Sequence, residues 1–129
     1  MDLSKEIEIA KTVRKNSHSP YSKYYVGCAL KASSGEIYSG CNVENHGIQS
    51  ICAERVALVK AISEGERNFE HIVVCGGSPD KLDDCLPCGY CRQFMSEFVD
   101  ENFKIYALSE NDKITEYSMK DLLPHGFKF

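Results

Sequence analysis

The sequence predicts an α/β fold: a three-layer α/β/α sandwich whose mixed sheet has about five strands, built as one domain over residues 1–129. Three observations carry that expectation. Apolar runs of strand length alternate with longer runs of helical period, in the order α-β-β-α-β-α-β-β-α. The first two strands sit close enough to form a hairpin, whereas later strands are separated by helices, as crossovers require. A chain of 129 residues with 43% hydrophobic residues can bury one core and is short for two.

Each element has its own signal. Residues 4–15 place Ile7, Ile9, Ala10 and Val13 at roughly helical spacing, with Ser4 as the expected N-cap, and the Asn16–Pro20 stretch breaks the pattern. Tyr24 to Ala32 is rich in aromatic and β-branched residues, Ser33-Ser34-Gly35 is a turn, and Glu36 to Cys41 returns as a second strand. A helix is expected from about Cys52 to near Gly65, and a short buried strand from His71 to Cys75 ends at Gly76-Gly77. Residues 78–87 read as loop. Pro87 suits the first turn of a helix running to about Asp100. Phe103 to Leu108 and Ile114 to Tyr117 read as strands, and Ser118 as the cap of a last short helix through Leu123. Right-handed crossovers put helices 52–64 and 88–100 on one side of the sheet, with their N-termini converging where open sheets bind ligands.

Fifteen basic residues against nineteen acidic ones leave a net charge of −4, which argues against a general nucleic-acid binder. No run of 18 apolar residues is present, so no membrane span is expected. The polar, mixed-charge start Met1-Asp2-Leu3-Ser4-Lys5-Glu6 is neither a signal nor a transit peptide, and a cytoplasmic protein is expected.

Seven cysteines are an unusual number, odd in count and without a secretory signal, so metal or thiol chemistry is favoured over disulfides. Cys28, Cys41 and Cys75 lie in or beside apolar strand runs and are expected as core or near-core thiols. Cys88-Gly89-Tyr90-Cys91 is a C-x-x-C at a helix start, where positions i and i+3 share a face, and Cys52 opens another helix upstream. Helix N-termini favour thiolates, the form that binds zinc. Three readings compete: a structural four-cysteine zinc site completed by Cys85, a thioredoxin-like redox pair, and a catalytic zinc held by three thiolates with one position open. Cys52-Ala53-Glu54 favours the last. Hydrolytic zinc chemistry needs a base to move the proton of the attacking water, and Glu54 sits two residues along the helix from a ligand.

These residues resemble the zinc nucleobase deaminases, and within them the short tetrameric cytidine deaminases, in which the first ligand is cysteine. Ser19-Pro20-Tyr21-Ser22-Lys23-Tyr24 is similar to that family's SPYSKF, and Gly40-Cys41-Asn42-Val43-Glu44-Asn45 to its GCNIEN. Cys52-Ala53-Glu54-Arg55 matches CAER, the run from Pro87 to Gln93 resembles PCGACRQ, and that from Leu122 to Phe127 resembles LLPGAF. The resemblance implies hydrolytic deamination of cytidine or 2′-deoxycytidine, with one zinc ion per chain. It implies that Cys52, Cys88 and Cys91 hold the metal and that Glu54 shuttles protons to ring N3 and the leaving ammonia. Asn42 and Glu44 would bind the ribose 3′-hydroxyl, the Ala53 N–H the pyrimidine carbonyl, and Tyr24 would lie near the base. Phe127 would stack on a base, in a neighbouring subunit of a homotetramer with shared sites. Arg55 would donate to a zinc-bound sulfur and offset the excess thiolate charge, which otherwise weakens the metal's pull on water. Arg92 is a second candidate for that task. The implied partners are a small nucleoside substrate and further copies of the chain, with no nucleic acid and no membrane.

Four departures fall on segments implied to touch substrate. The 46–51 loop is shorter by one residue than is typical of the family. Tyr90 replaces a common Ala, Tyr24-Tyr25 a common Phe-Pro, and His125-Gly126 the Gly-Ala pair. The expectation is retained chemistry with a substrate that is cytidine, deoxycytidine or a modified relative. Asn42 and Glu44 favour a nucleoside with a free 3′-hydroxyl over a blasticidin-like compound.

Overall fold

The computed structural model of the protein describes residues 1–129 and holds one mixed sheet between two helical layers. Helix α1 (Ser4–Val13) leads through a 3₁₀ turn (Arg14–Asn16) to strands β1 (Tyr25–Ala32) and β2 (Ile37–Cys41). Then follow α2 (Ala53–Ser63), β3 (Phe69–Ser78), β4 (Lys81–Asp83), α3 (Gly89–Ser96), β5 (Lys104–Ser109), β6 (Lys113–Ser118) and α4 (Met119–Leu122). The strand order is β2-β1-β3-β5-β6, and β4 folds back on the end of β3. Only β3 and β5 are parallel, and α3 lies on the crossover between them. The other pairings are antiparallel.

The two layers follow from strand alternation. Cys28, Leu30, Ile72, Val74 and Ile105 face one side, where Ala57, Leu58 and Ala61 of α2, Met95 of α3 and Met119 and Leu122 of α4 cover them. Ala29, Val73, Cys75, Tyr106 and Leu108 face the other side, where Ala10 of α1 packs. Two glycines let helices approach the sheet. A Cβ at Gly27 would stand 2.2 Å from the Ala10 carbonyl oxygen, and one at Gly40 would stand 2.3 Å from that of Ala53. The second contact brings the start of α2 down against β2, which positions the residues that follow Cys52. No helix is long and apolar enough to cross a membrane.

Three expectations need correction. Ser4 is the first residue of α1, not its cap: Leu3 holds the cap position, and the Asp2 carboxylate accepts both the Ser4 N–H and its hydroxyl. The third strand does not stop at Gly76-Gly77 but continues to Ser78, because β4 pairs with it there. A side chain at Gly77 would meet the Lys81 carbonyl, so the glycine is what admits β4. Pro87 precedes Cys88, the N-cap of α3, rather than lying in the first turn, and that helix ends at Ser96 instead of near Asp100. Cys28 and Cys75 are core residues and Cys41 is half-buried at the end of β2, in line with core or near-core thiols.

Candidate metal centre and active site

Helices α2 and α3 begin side by side on the same face of the sheet. Cys52 is the N-cap of α2 and Cys88 that of α3, both in extended backbone, and Cys91 follows one turn into α3. The Cys52 and Cys88 sulfurs are 3.6 Å apart, and all three sulfurs lie within 4.8 Å of one another. Cys85 is not in this cluster. The Cys52 thiol is pulled down to about 5 by a hydrogen bond from Cys91, with help from Arg55 and Cys88, against the opposing effect of burial. Cys91, which gives that hydrogen bond, is pushed up. Three soft sulfur donors at two helix N-termini fit zinc, and no fourth His, Cys, Asp or Glu joins them, so the set leaves one coordination position open.

Glu54 lies in the first turn of α2 and is only 3% exposed. Burial pushes its carboxyl up to about 7, and its own backbone N–H works against that shift. A cavity of about 350 Å³ joins this carboxyl to Tyr24, Asn42, Glu44, Cys52, Ala53 and Cys88. The Ala53 N–H belongs to the first turn of α2, where helix donors lack intrahelical partners.

The far wall of the cavity is held by hydrogen bonds. Asn42 accepts the Val26 N–H at 2.9 Å and donates to the Ser19 hydroxyl at 3.0 Å and the Tyr24 carbonyl at 2.9 Å. Glu44 accepts from the Tyr21 and Ser22 N–H groups and from the Ser22 hydroxyl, and these bonds hold its carboxyl below the usual range. Ser22 is a contributor that sequence reasoning missed, although it stands in the Ser-Pro-Tyr-Ser cluster that signals a turn. Cys85 is a second. Its thiol, pushed up to about 12 by burial, lines the cavity beside the Tyr24 ring, whose phenol is itself pushed up chiefly by burial. A Cβ at Gly76 would stand 2.7 Å from the Cys85 sulfur, so that glycine makes the room.

Four further residues fall outside the cavity lining. Arg55 reaches the Cys52 sulfur at 3.5 Å. Arg92 instead donates to the Pro87 and Leu122 carbonyls, fastening the turn before α3 to α4. Tyr90 points away from the cavity, 62% exposed, with its ring under the Arg55 guanidinium. Phe127 is exposed and does not meet its own chain's cavity. Its backbone N–H and carbonyl are both held by the Gln93 amide at 3.0 Å, and its ring rests edge-on to Phe129.

Comparison with known proteins agrees with this geometry. Residues 2–107 match the family model described as the cytidine and deoxycytidylate deaminase zinc-binding region. A cytidine deaminase from Sporosarcina psychrophila is 39% identical over 128 residues, covering 98% of this chain and 92% of the relative. A blasticidin-S deaminase from Bacillus cereus is 32% identical over 108 residues, covering 79% of this chain and 76% of the relative. The crystal structure of a cytidine deaminase from Burkholderia pseudomallei superposes with a TM-score of 0.89 at 36% identity, covering 98% of this chain and all of that one. The chain belongs to the family of zinc-binding cytidine and deoxycytidylate deaminases.

Proposed function

We propose that this protein hydrolyses cytidine or 2′-deoxycytidine to the corresponding uridine and ammonia. The observation that carries the reading is Glu54, a buried carboxyl with its ionisation near neutrality, in one cavity with the sulfur cluster and two sugar-binding candidates. Cys52, Cys88 and Cys91 would hold one zinc ion, which supplies Lewis acidity toward the attacking water. Glu54 takes a proton from that water, passes it to ring N3, and then carries one to the departing amine. A carboxyl poised near the working pH suits both directions of transfer. The Ala53 N–H donates to the pyrimidine carbonyl, and Tyr24 borders the base. Arg55 offsets the charge of the sulfurs.

Asn42 and Glu44 receive the sugar. Both hydrogens of the Asn42 amide are already given to Ser19 and Tyr24, so Asn42 offers the ligand only an acceptor. Glu44, ionised, is also an acceptor. Such a wall takes a hydroxyl that donates, which the ribose 3′-position supplies. Phe127 lies too far outside its own cavity to close it, and we assign its ring to the site of a neighbouring chain in a homotetramer. A cluster of reduced cysteines suits the cytoplasm.

The test is ammonia release from cytidine, deoxycytidine and blasticidin S by zinc-loaded protein, with Glu54→Gln as control. Native protein turns over a plain nucleoside, and Glu54→Gln keeps one zinc per chain while losing at least about 100-fold in kcat. Turnover by the variant within a few-fold of native removes Glu54 from the mechanism. Turnover of blasticidin S alone moves the substrate class.

A further inference from the structure

Arg55 is gripped in two ways at once. Its Nη2 lies 3.5 Å from the Cys52 sulfur and 3.4 Å from the Ser50 carbonyl oxygen, so the edge of the guanidinium faces the thiol cluster. Its face lies over the ring of Tyr90, with the guanidinium carbon 4.0 Å from the ring centre. Tyr90 is braced in turn, stacked on Phe94 one turn along α3 at 6.3 Å and 23°. Phe94 packs against Phe98 at 5.8 Å. The Arg55 Nε is buried without a hydrogen-bond partner, so the polar contacts do not by themselves account for the placement of this side chain. A long arginine left to itself samples many rotamers, and most would carry its charge away from the sulfur.

We propose that Tyr90 is a positioning residue: its ring, braced by Phe94, holds the Arg55 guanidinium edge-on to the Cys52 sulfur. Tyr90 has no part in the cavity wall and stands largely in solvent, between two cysteines of the cluster. Its connection to the site runs through Arg55. The ring attracts the cation, and the guanidinium plane is pinned while its edge donors stay free for sulfur. The hydrogen bond to the sulfur is then constant, and so is the electron density that the sulfur gives to a bound metal.

This inference rests on the metal reading of the cluster, and the test separates the two. Cobalt(II) replaces zinc in native protein and in Tyr90→Ala, Tyr90→Phe, Arg55→Ala and the Tyr90→Ala/Arg55→Ala double variant. The thiolate-to-cobalt charge-transfer band is read alongside kcat and KM of the zinc forms. Weakening a hydrogen bond to a thiolate raises the energy of its lone pairs, so the band of Tyr90→Ala shifts to longer wavelength. Tyr90→Phe, which keeps the ring, retains the native band. In the zinc forms Tyr90→Ala lowers kcat by roughly three- to tenfold with KM unchanged, and adds nothing once Arg55 is absent. An unshifted band in Tyr90→Ala, or effects of the two single changes that simply add, overturns the positioning role. A native protein that shows no thiolate band at all fails at the earlier step and removes the metal reading together with this inference.

Discussion

Asn42 shows how a single side chain can fix what a pocket accepts. Three hydrogen bonds to Val26, Ser19 and Tyr24 hold its amide rigid and leave only a lone pair for a ligand. Glu44, fixed by Tyr21 and Ser22, adds a second acceptor. Two acceptors with no donor between them disfavour a ligand that has no hydroxyl to give, because the one that would take its hydrogen then loses water without replacement. With 3′-deoxycytidine as substrate, kcat/KM is expected to fall by at least about 100-fold relative to cytidine. The 2′-deoxy compound keeps the 3′-hydroxyl and the contact. Equal kcat/KM for cytidine and its 3′-deoxy analogue detaches these residues from the sugar. The gathering of Cys52, Cys88 and Cys91 near Glu54 was legible in the sequence, because all four stand at two helix starts. The saturated amide of Asn42 was not, because its partners come from the 19–26 segment and only the fold brings them round it. The same holds for Cys85. Its C-x-x-C spacing to Cys88 made it a plausible fourth ligand, and only the return of β4 along Gly76 turns its sulfur towards Tyr24 instead.

Among the elements, the long and periodic ones were readable, as were the short β2 and α4, and the three-residue β4 was not. Helices α1 and α2 and strands β1, β3 and β5 carry enough apolar repeats to declare themselves. Strand β4, Lys81-Leu82-Asp83, has three residues and one apolar side chain, so no periodicity exists to be read. The end of α4's start was legible for a local reason: Ser118 and Asp121 form a reciprocal capping box, a signal contained within four residues. What pins α1 to the sheet was hidden. Glu6 of α1 and His71 of β3 meet at 2.5 Å with both side chains almost wholly buried, and the His71 ring lies edge-on to Tyr106. Neither residue stands out in the sequence, because the pair is made across 65 positions. Removing one member leaves a buried polar group without its partner. Glu6→Ala is therefore expected to lower the stability of the fold by about 1–3 kcal/mol. The urea midpoint should drop with an unchanged slope. A midpoint within error of native shows that α1 is held by its apolar contacts alone. This side of the sheet lies opposite the sulfur cluster, so the zinc content of the variant should stay at one per chain wherever it is folded.

At the level of the whole molecule, the helices have divided labour. The α1 layer closes one core, while α2, α3 and α4 close the other and gather the chemistry at two helix starts. That arrangement leaves the cavity open at the surface and leaves Phe127 on the outside, tied to Gln93. Phe127 is 65% exposed, a large apolar residue held in place by two backbone hydrogen bonds, with its ring edge-on to Phe129. An apolar ring fixed in that way is suited to a surface on another copy. If sites are shared in the proposed homotetramer, Glu54 and Phe127 of one site come from different chains. Two damaged proteins then repair each other. Glu54→Gln and Phe127→Ala, each nearly inactive alone, should regain turnover when their subunits are exchanged by mild denaturation and refolding together. With equal amounts and random assembly, about one site in four receives Glu54 from one parent and Phe127 from the other, so activity should approach a quarter of native. Size-exclusion chromatography with light scattering checks that the mixture is assembled. Turnover no greater than the mean of the two parents, in a mixture that has demonstrably exchanged, means that each chain completes its own site and that Phe127 serves the interface rather than the base.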